Sequence, residues 1–237
     1  MIKEIKNTIN IKNIIVIGFI ILFIFIWYTW YNTKELDLKT TYSQFKQDLD
    51  VIEYLKHKKN GYFIDIGATN GIDISNTYLL EKKYNWNGIC IEPQDSYYNK
   101  LIKNRKCHTD NSLVFSEAGK EFNFSEAGDL GGITDYIDKH EHAKKSKQVK
   151  KTTDTLNNIL IKYDAPKNID YMSLDTEGSE LEILKGIDFD KYNFNIITIE
   201  HNFVEPRRSD IRFFLKNRGY SFYKENDVDD YFIYNRK

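Results

Sequence analysis

Seven ionisable side chains fall at or just past the ends of apolar, strand-like runs: Asp65, Glu92, Asp110, Asp175, Glu177, Glu200 and His201. Carboxylates in such places accept hydrogen bonds from hydroxyls or ligate a hard cation through oxygen. A histidine, with an ordinary pKa near ~6.5, is the natural general base. The chemistry they could share is removal of a hydroxyl proton as that oxygen attacks an electrophile. Asp175, Glu177 and His201 are the candidates for that step. Asp175 and Glu200 are also candidate ligands for a divalent cation, magnesium or manganese, which would orient a hydroxyl and lower its pKa.

One stretch supplies the other half of a site. Tyr62 to Gly71 reads as a strand ending at Ile66, then a tight turn from Gly67 to Gly71, then a helix-like run from Ile72. Strand, glycine turn and helix form the nucleotide-binding corner of an open α/β sheet. Glycine at Gly67 and Gly71 lets the backbone come close to a ligand. Asp65 adds a carboxylate beside that turn. A second strand, Gly88 to Ile91, ends in Glu92, placed to accept hydrogen bonds from both hydroxyls of a ribose. After a short third strand, Cys107 to Thr109, either Asp110 or Asn111 could receive the amino group of a purine. The pattern Gly67-x-x-x-Gly71 is not G-x-G-x-x-G, which disfavours a nicotinamide enzyme.

The elements that must position these groups alternate. Helical spacing marks Tyr42 to Lys58, Ile74 to Tyr84, Ser96 to Asn104, Thr155 to Tyr163, a run from Leu181 to Lys185, and Ser209 to Arg218. Ser75 is placed to contribute to the first turn of the second of these. Glu180 and Glu182 read as a solvated helix face. Asp170 to Leu174 and Asn195 to Ile199 are further strands, and Tyr220 to Tyr223 with Asp230 to Tyr234 read as a closing antiparallel pair. Leu113 to Phe115 and Glu121 to Phe124 read as a hairpin with Gly119 in the turn. Asp138 to Lys151 is rich in lysine and reads as a solvated face, with a lid over the substrate as the rival. The alternation implies a mostly parallel sheet with helices on both faces, and a ligand site outside the carboxyl ends of its strands.

Four segments follow from the hydropathy pattern. Residues 1–13 are a polar tail. Ile14 to Tyr31 carries no charge, and at ~1.5 Å per residue spans about 27 Å, close to a bilayer core. Trp27, Tyr28, Trp30 and Tyr31 gather at one end, as aromatic residues do at a membrane interface. This reads as an uncleaved, single-pass transmembrane helix, since no small-residue cleavage site follows. Lysines close to the span favour a cytoplasmic N-terminus, with the rest of the chain on the lumenal or outer face. Residues 32–41 are a polar stem and residues 42–237 the globular domain.

The 237 residues carry a formal net charge of -1, so no global charge argues for a nucleic-acid partner. The two cysteines, Cys90 and Cys107, make neither a disulfide framework nor a metal-ligand spacing. Cys90, inside a strand, reads as a small buried residue.

The segments Phe63 to Gly71, Ile91-Glu92-Pro93, Thr155-Leu156, Ser173 to Ile187 and Ile197 to Glu200, with Gly219-Tyr220 and Asp230 to Ile233, resemble the FkbM-type methyltransferase family. The resemblance runs in order from about Gly61 to Asn235, and its most specific block is Asp175 to Gly186. It implies a Rossmann-like, seven-stranded class I methyltransferase sheet that uses S-adenosylmethionine, preceded here by the transmembrane helix. It implies methyl transfer to a hydroxyl oxygen of a sugar, glycan or related small molecule. By the same resemblance, Asp65, Gly67, Asn70 and Gly71 would hold the methionine and ribose side of the cofactor and Glu92 the ribose hydroxyls. Asp110 or Asn111 would lie near the adenine, and Asp175 and Glu177 would face the methyl group and the acceptor. Thr69 stands where the family often has asparagine, and Ser116 to Lys151 follows its pattern poorly. A nucleic-acid acceptor is not expected, because only Lys139 to Lys151 offers a basic face and no Asn-Pro-Pro-Tyr motif is present. The rival from another class is a membrane-tethered binding module without catalysis. It would have lost Asp65, Glu92 or Asp175, and all three are present.

Overall fold

The structure is a computed structural model that describes residues 17–25, 27 and 40–235. The chain divides into two units, Met1–Thr40 and Thr41–Lys237. In the first unit, residues 17–25 and Trp27 are helical, and their large apolar side chains are exposed, Phe23 by 75%. Among the described residues no helix is long and apolar enough to cross a membrane. The rest of the expected span (residues 14–16, 26 and 28–31) lies outside the described residues, as do the tail and most of the stem.

The second unit is built on a seven-stranded sheet. Its strands are β1 (Tyr62–Ile66), β2 (Asn87–Ile91), β3 (His108–Asp110), β8 (Asn168–Leu174), β9 (Asn193–Glu200), β10 (Tyr220–Asn226) and β11 (Asp229–Tyr234). They lie in the order β10-β11-β9-β8-β1-β2-β3. The five strands from β3 to β9 are parallel, and β11 enters antiparallel between β9 and β10. The expected parallel sheet with an antiparallel closing pair is therefore present. Helices α1 (Gln47–Tyr54), α2 (Tyr78–Tyr84) and α3 (Asp95–Asn104) cover one face, packing Val51, Leu80 and Leu101 against Phe63, Cys90 and Tyr171. Helices α4 (Leu156–Lys162), α5 (Glu180–Lys185) and α6 (Arg207–Lys216) cover the other, packing Leu160, Leu184 and Leu215 against Ile64, Ile89 and Ile197.

Side chains alternate along a strand, so the register assigns each rim residue a face. Asp65 pairs with Cys90 and with Ser173. Ser173 in turn pairs with Thr198, and Glu200 pairs with Asp229. Asp65, Ser173, Thr198 and Glu200 thus share the α1–α3 face, and Glu92 and Asp175 continue it past their strand ends.

Three readings change. The first helix is shorter than Tyr42 to Lys58 because Asp48 gathers Thr41 Oγ1, the Tyr42 N–H and Ser43 Oγ into a turn ahead of it. The helix expected from Ile74 begins at Tyr78. Asn70 Oδ1 accepts from the Ile72 and Asp73 N–H groups, and Ser75 Oγ from Thr77 and Tyr78, so turns persist until Ser75 serves the first helical turn. The expected hairpin is not formed. β4 (Leu113–Val114) and β5 (Glu121–Ser125) are separated by β7 (Gln148–Asp154) in a second sheet of order β4-β7-β5-β6, with β6 at Gly132–Ile133. Thr153 of β7 closes the turn instead, accepting from Gly119 N at 2.9 Å and donating to the Glu117 carbonyl at 2.6 Å. The end of the basic stretch, residues 148–151, is thus strand. Lys144, Lys147, Lys150 and Lys151 pair with Glu141, Glu126, Glu121 and Asp95.

Candidate active site

The turn after β1 is held between its two neighbours. The Gly67 and Ala68 N–H groups both donate to the Ile91 carbonyl at 3.0 Å. Gly67 has φ +90°, and a Cβ there would lie 1.8 Å from the Asp175 carbonyl oxygen. Only glycine fits, so this residue joins the ends of β1 and β8. Beyond it the Thr69 N–H donates to Glu92 Oε2 at 2.9 Å, and the Gln94 N–H donates to Glu92 Oε1 at 2.7 Å. Glu92 is 5% exposed, and burial pushes its carboxyl up to about 7 against those two hydrogen bonds. Asp65 is also buried and accepts from Thr77 Oγ1 at 2.5 Å. Burial raises its pKa, while the nearby Arg105 guanidinium and the Thr77 hydroxyl oppose the rise.

These residues floor a cleft with about 780 Å³ of empty space, continuous with solvent. Asp65, Gly67, Thr69, Glu92, Ser173 and Asp175 line the sheet side. Leu113, Phe124, Asp129, Gly131 and Ile133 from the second sheet and its loops form the other wall. That sheet, which follows the family pattern least, is therefore the cleft's roof.

A cluster of acids stands at the β8–β9 end. Ligand atoms of Asp175, Glu177 and Glu200 all lie within 4.8 Å of one another. Burial, together with the charges of Asp229, Glu180 and Asp65, raises Asp175 to about 7, and a hydrogen bond from Glu200 opposes the rise. Burial and the charge of Asp175 lead the rise of Glu177 to about 8. Glu200 is pushed up by burial and by its acidic neighbours, and its Oε2 has no hydrogen-bond partner. The Asp175–Glu200 contact joins two acceptors, so one carboxyl must carry the proton.

Glu180 holds this cluster in place. It is fully buried, not on a solvated helix face. Its Oε1 accepts from the Thr176 N–H, the Gly178 N–H and Thr176 Oγ1 at 2.9–3.0 Å, and its Oε2 meets Arg207. Glu182 pairs with Lys185 on the surface as expected. Segment 136–140 crosses above: a Cβ on Gly178 would lie 2.0 Å from the Tyr136 carbonyl oxygen, and His140 Nε2 is 3.9 Å from Glu177 Oε2.

Several candidates stand elsewhere. His201 is turned away from the acids. It is buried, its Nδ1 accepts from the Phe203 N–H at 3.0 Å, and its Nε2 is 3.4 Å from Asp230 Oδ1. Asp230 pairs in register with Ile199, so His201 lies on the opposite face from Glu200. Asp230 is itself held by Arg208 and Arg212. Asn70 spends its side chain on its own turn and on Asp73, and Gly71 packs beneath Leu101 and Arg105. Asp110 is bound to Lys162, Tyr163 and Ser112, and Asn111 donates to the Glu92 and Pro93 carbonyls. None of these five residues lines the cleft, and of the three clustered acids only Asp175 does. Sequence reasoning gave no site role to Thr69, Gln94 or Ser173 and read Glu180 as solvated. The last was legible only as a carboxylate two residues past Gly178, whose partner Arg207 comes 27 residues later.

Residues 65–222 match the Methyltransferase FkbM domain family, and the chain belongs to it. No curated protein matches the chain. Among solved structures it is similar to the N-terminal domain of human METTL16, at 12% identity and TM-score 0.46 over 83% of this chain and 70% of that one. It is similar to a precorrin-6y C5,15-methyltransferase from Geobacter metallireducens, at 13% identity and TM-score 0.43 over 82% and 90%. A TehB-like SAM-dependent methyltransferase from Corynebacterium glutamicum gives 11% identity and TM-score 0.42 over 88% and 96%. The family makes the chain an S-adenosylmethionine-dependent methyltransferase. The cleft fits that cofactor. Each Glu92 oxygen spends one acceptor site on a backbone N–H and keeps another for a ribose hydroxyl, and Asp65 offers a buried carboxylate to a cationic group.

Proposed function

We propose that the chain is a membrane-anchored O-methyltransferase acting on a hydroxyl of a sugar, glycan or related small molecule. The observation that carries this reading is the convergence of Glu177 and Glu200 on Asp175, which lines the cleft together with Asp65 and Glu92. When bound, S-adenosylmethionine supplies a methyl carbon activated by its sulfonium. The chain's task is to align the acceptor oxygen and take its proton. With carboxyls at about 7 and about 8, the cluster holds both protonated and ionised groups near neutral pH. The ionised member would accept the hydroxyl proton as the acceptor oxygen attacks. A divalent cation fits the same donors: Asp175, Glu177 and Glu200 offer hard oxygen ligands, and Glu200 Oε2 is free to take one. It would lower the pKa of the bound hydroxyl.

Anchorage rests on the uncharged run Ile14 to Tyr31, whose described part is helical with exposed apolar side chains. The flanking lysines favour a cytoplasmic N-terminus and a catalytic domain on the lumenal or outer face. The test incubates the full chain, in detergent, with methyl-labelled S-adenosylmethionine and panels of sugars, glycolipids, amines and RNA, with and without EDTA. Label in a base-stable ether supports the reading, and loss with EDTA supports the cation. Label confined to amines or to nucleobases overturns the hydroxyl acceptor. Cofactor binding with no turnover on any panel promotes the tethered binding module.

A further inference from the structure

Cys90 and Cys107 are 17 residues apart, and their sulfurs are 3.5 Å apart. Both are free thiols. Cys90 lies in β2, paired in register with Thr109 of β3. Cys107 stands one side-chain repeat before Thr109, so both thiols occupy the α1–α3 face. They differ in access and in freedom. Cys90 is fully buried against Phe63, Leu79 and Leu101. Cys107 is half-buried in the short link between α3 and β3 and has no ladder partner. It can therefore move the roughly 1.5 Å that separates a contact from a bond of about 2.05 Å.

We propose that Cys90 and Cys107 are a modification site that closes to an intramolecular disulfide in the presence of a thiol–disulfide oxidant. The Cys107 thiolate attacks one sulfur of glutathione disulfide and expels one glutathione thiolate. The Cys90 thiol then attacks the Cys107 sulfur and expels the second, its proton passing to the departing glutathione thiolate. Two protein thiols are oxidised, and one glutathione disulfide is reduced to two glutathiones. The buried Arg105 guanidinium favours the Cys90 thiolate, against the burial that holds the Cys90 thiol well above its ordinary pKa. The bond would tie β2, two residues before Glu92, to the link that enters the strand beside it. It stands independently of the acceptor reading, because it needs no cofactor and no turnover.

The test uses the full chain, reduced, then exposed to glutathione disulfide, quenched in acid, denatured and treated with N-ethylmaleimide. The expected result is no maleimide adduct, a cross-linked peptide joining Cys90 to Cys107, and a Tm about 5–10 °C above that of the reduced protein. Cys107→Ser, at a half-buried position that tolerates the exchange, should abolish both the cross-link and the shift. Two maleimide adducts after oxidation overturn the proposal. So does glutathione retained on Cys107 beside a free Cys90.

Discussion

The two ends of the cleft are built from the same side chain in opposite ways. At the β1–β2 end, each carboxylate is tied to a fixed partner: Glu92 to the Thr69 and Gln94 N–H groups, Asp65 to the Thr77 hydroxyl. At the β8–β9 end, Asp175, Glu177 and Glu200 face one another, and Glu200 Oε2 faces no donor at all. Fixed donors set a carboxylate's direction before a ligand arrives. Mutually facing acids leave a proton free to change hands. The first arrangement suits a ligand that is always the same, and the second suits one that must lose a proton.

Gly67 couples the two ends, so breaking it should have the largest effect. In Gly67→Ala the new Cβ meets the Asp175 carbonyl at 1.8 Å, in a backbone conformation that alanine disfavours. We expect a stability loss of at least ~3 kcal/mol, read as a Tm drop of roughly 6–12 °C, together with loss of cofactor binding. An unchanged Tm would separate the ends.

Asp175→Asn should sharpen the contrast. Removing a proton acceptor should cut turnover by about 10²–10⁴, while cofactor affinity stays within about threefold. Stopped-flow or discontinuous methyl-transfer assays with parallel calorimetry read both numbers. Equal losses in both would merge the two ends.

The pH dependence isolates the cofactor end. On the proposed reading ionised Glu92 would accept from both ribose hydroxyls, so affinity should fall as pH drops below about 7, by up to about tenfold per unit. In the free protein the sign is reversed. A folded carboxyl at about 7, raised from its unfolded 4.5, contributes stability in full below 4.5 and loses it as pH rises through about 7. The Tm gain on adding S-adenosylmethionine should therefore widen between pH 6 and pH 8. A constant gain would remove Glu92 from the ribose.

His201→Asn should have the smallest effect. With its ring facing Asp230, it should cost a few degrees of Tm and change turnover by less than about threefold. A hundredfold loss of turnover would place it in the chemistry after all.

His201 also shows where legibility in the sequence stopped. The seven strands of the main sheet and the position of Glu92 at the end of β2 follow from apolar runs and glycines, which are local signals. Whether the residue after a strand end joins its neighbours depends on a single alternation, and one step moved His201 to the other face. Asp110 and Asn111 occupy the expected strand end, yet Lys162, 52 residues on, draws Asp110 away. Glu180 looked solvated because its partner Arg207 sits on another helix. The hairpin misreading has the same cause, since β7 inserts from 23 residues beyond the end of β5. Short-range pattern carried the main sheet, Asp65, Gly67 and Glu92, and named the acids Asp175, Glu177 and Glu200. The β8–β9 half depends on long-range contacts.

The central claim is that Glu92 anchors the cofactor in a cleft built for it. The most direct measurement is calorimetric titration of the full chain with S-adenosylmethionine beside Glu92→Ala at pH 8. Wild type should bind in the micromolar range, and the variant, with an unchanged far-ultraviolet spectrum, should lose at least about 100-fold in affinity, as removal of two charge-assisted hydrogen bonds requires. Equal affinities in the two proteins, or no binding by folded wild type, would contradict the account.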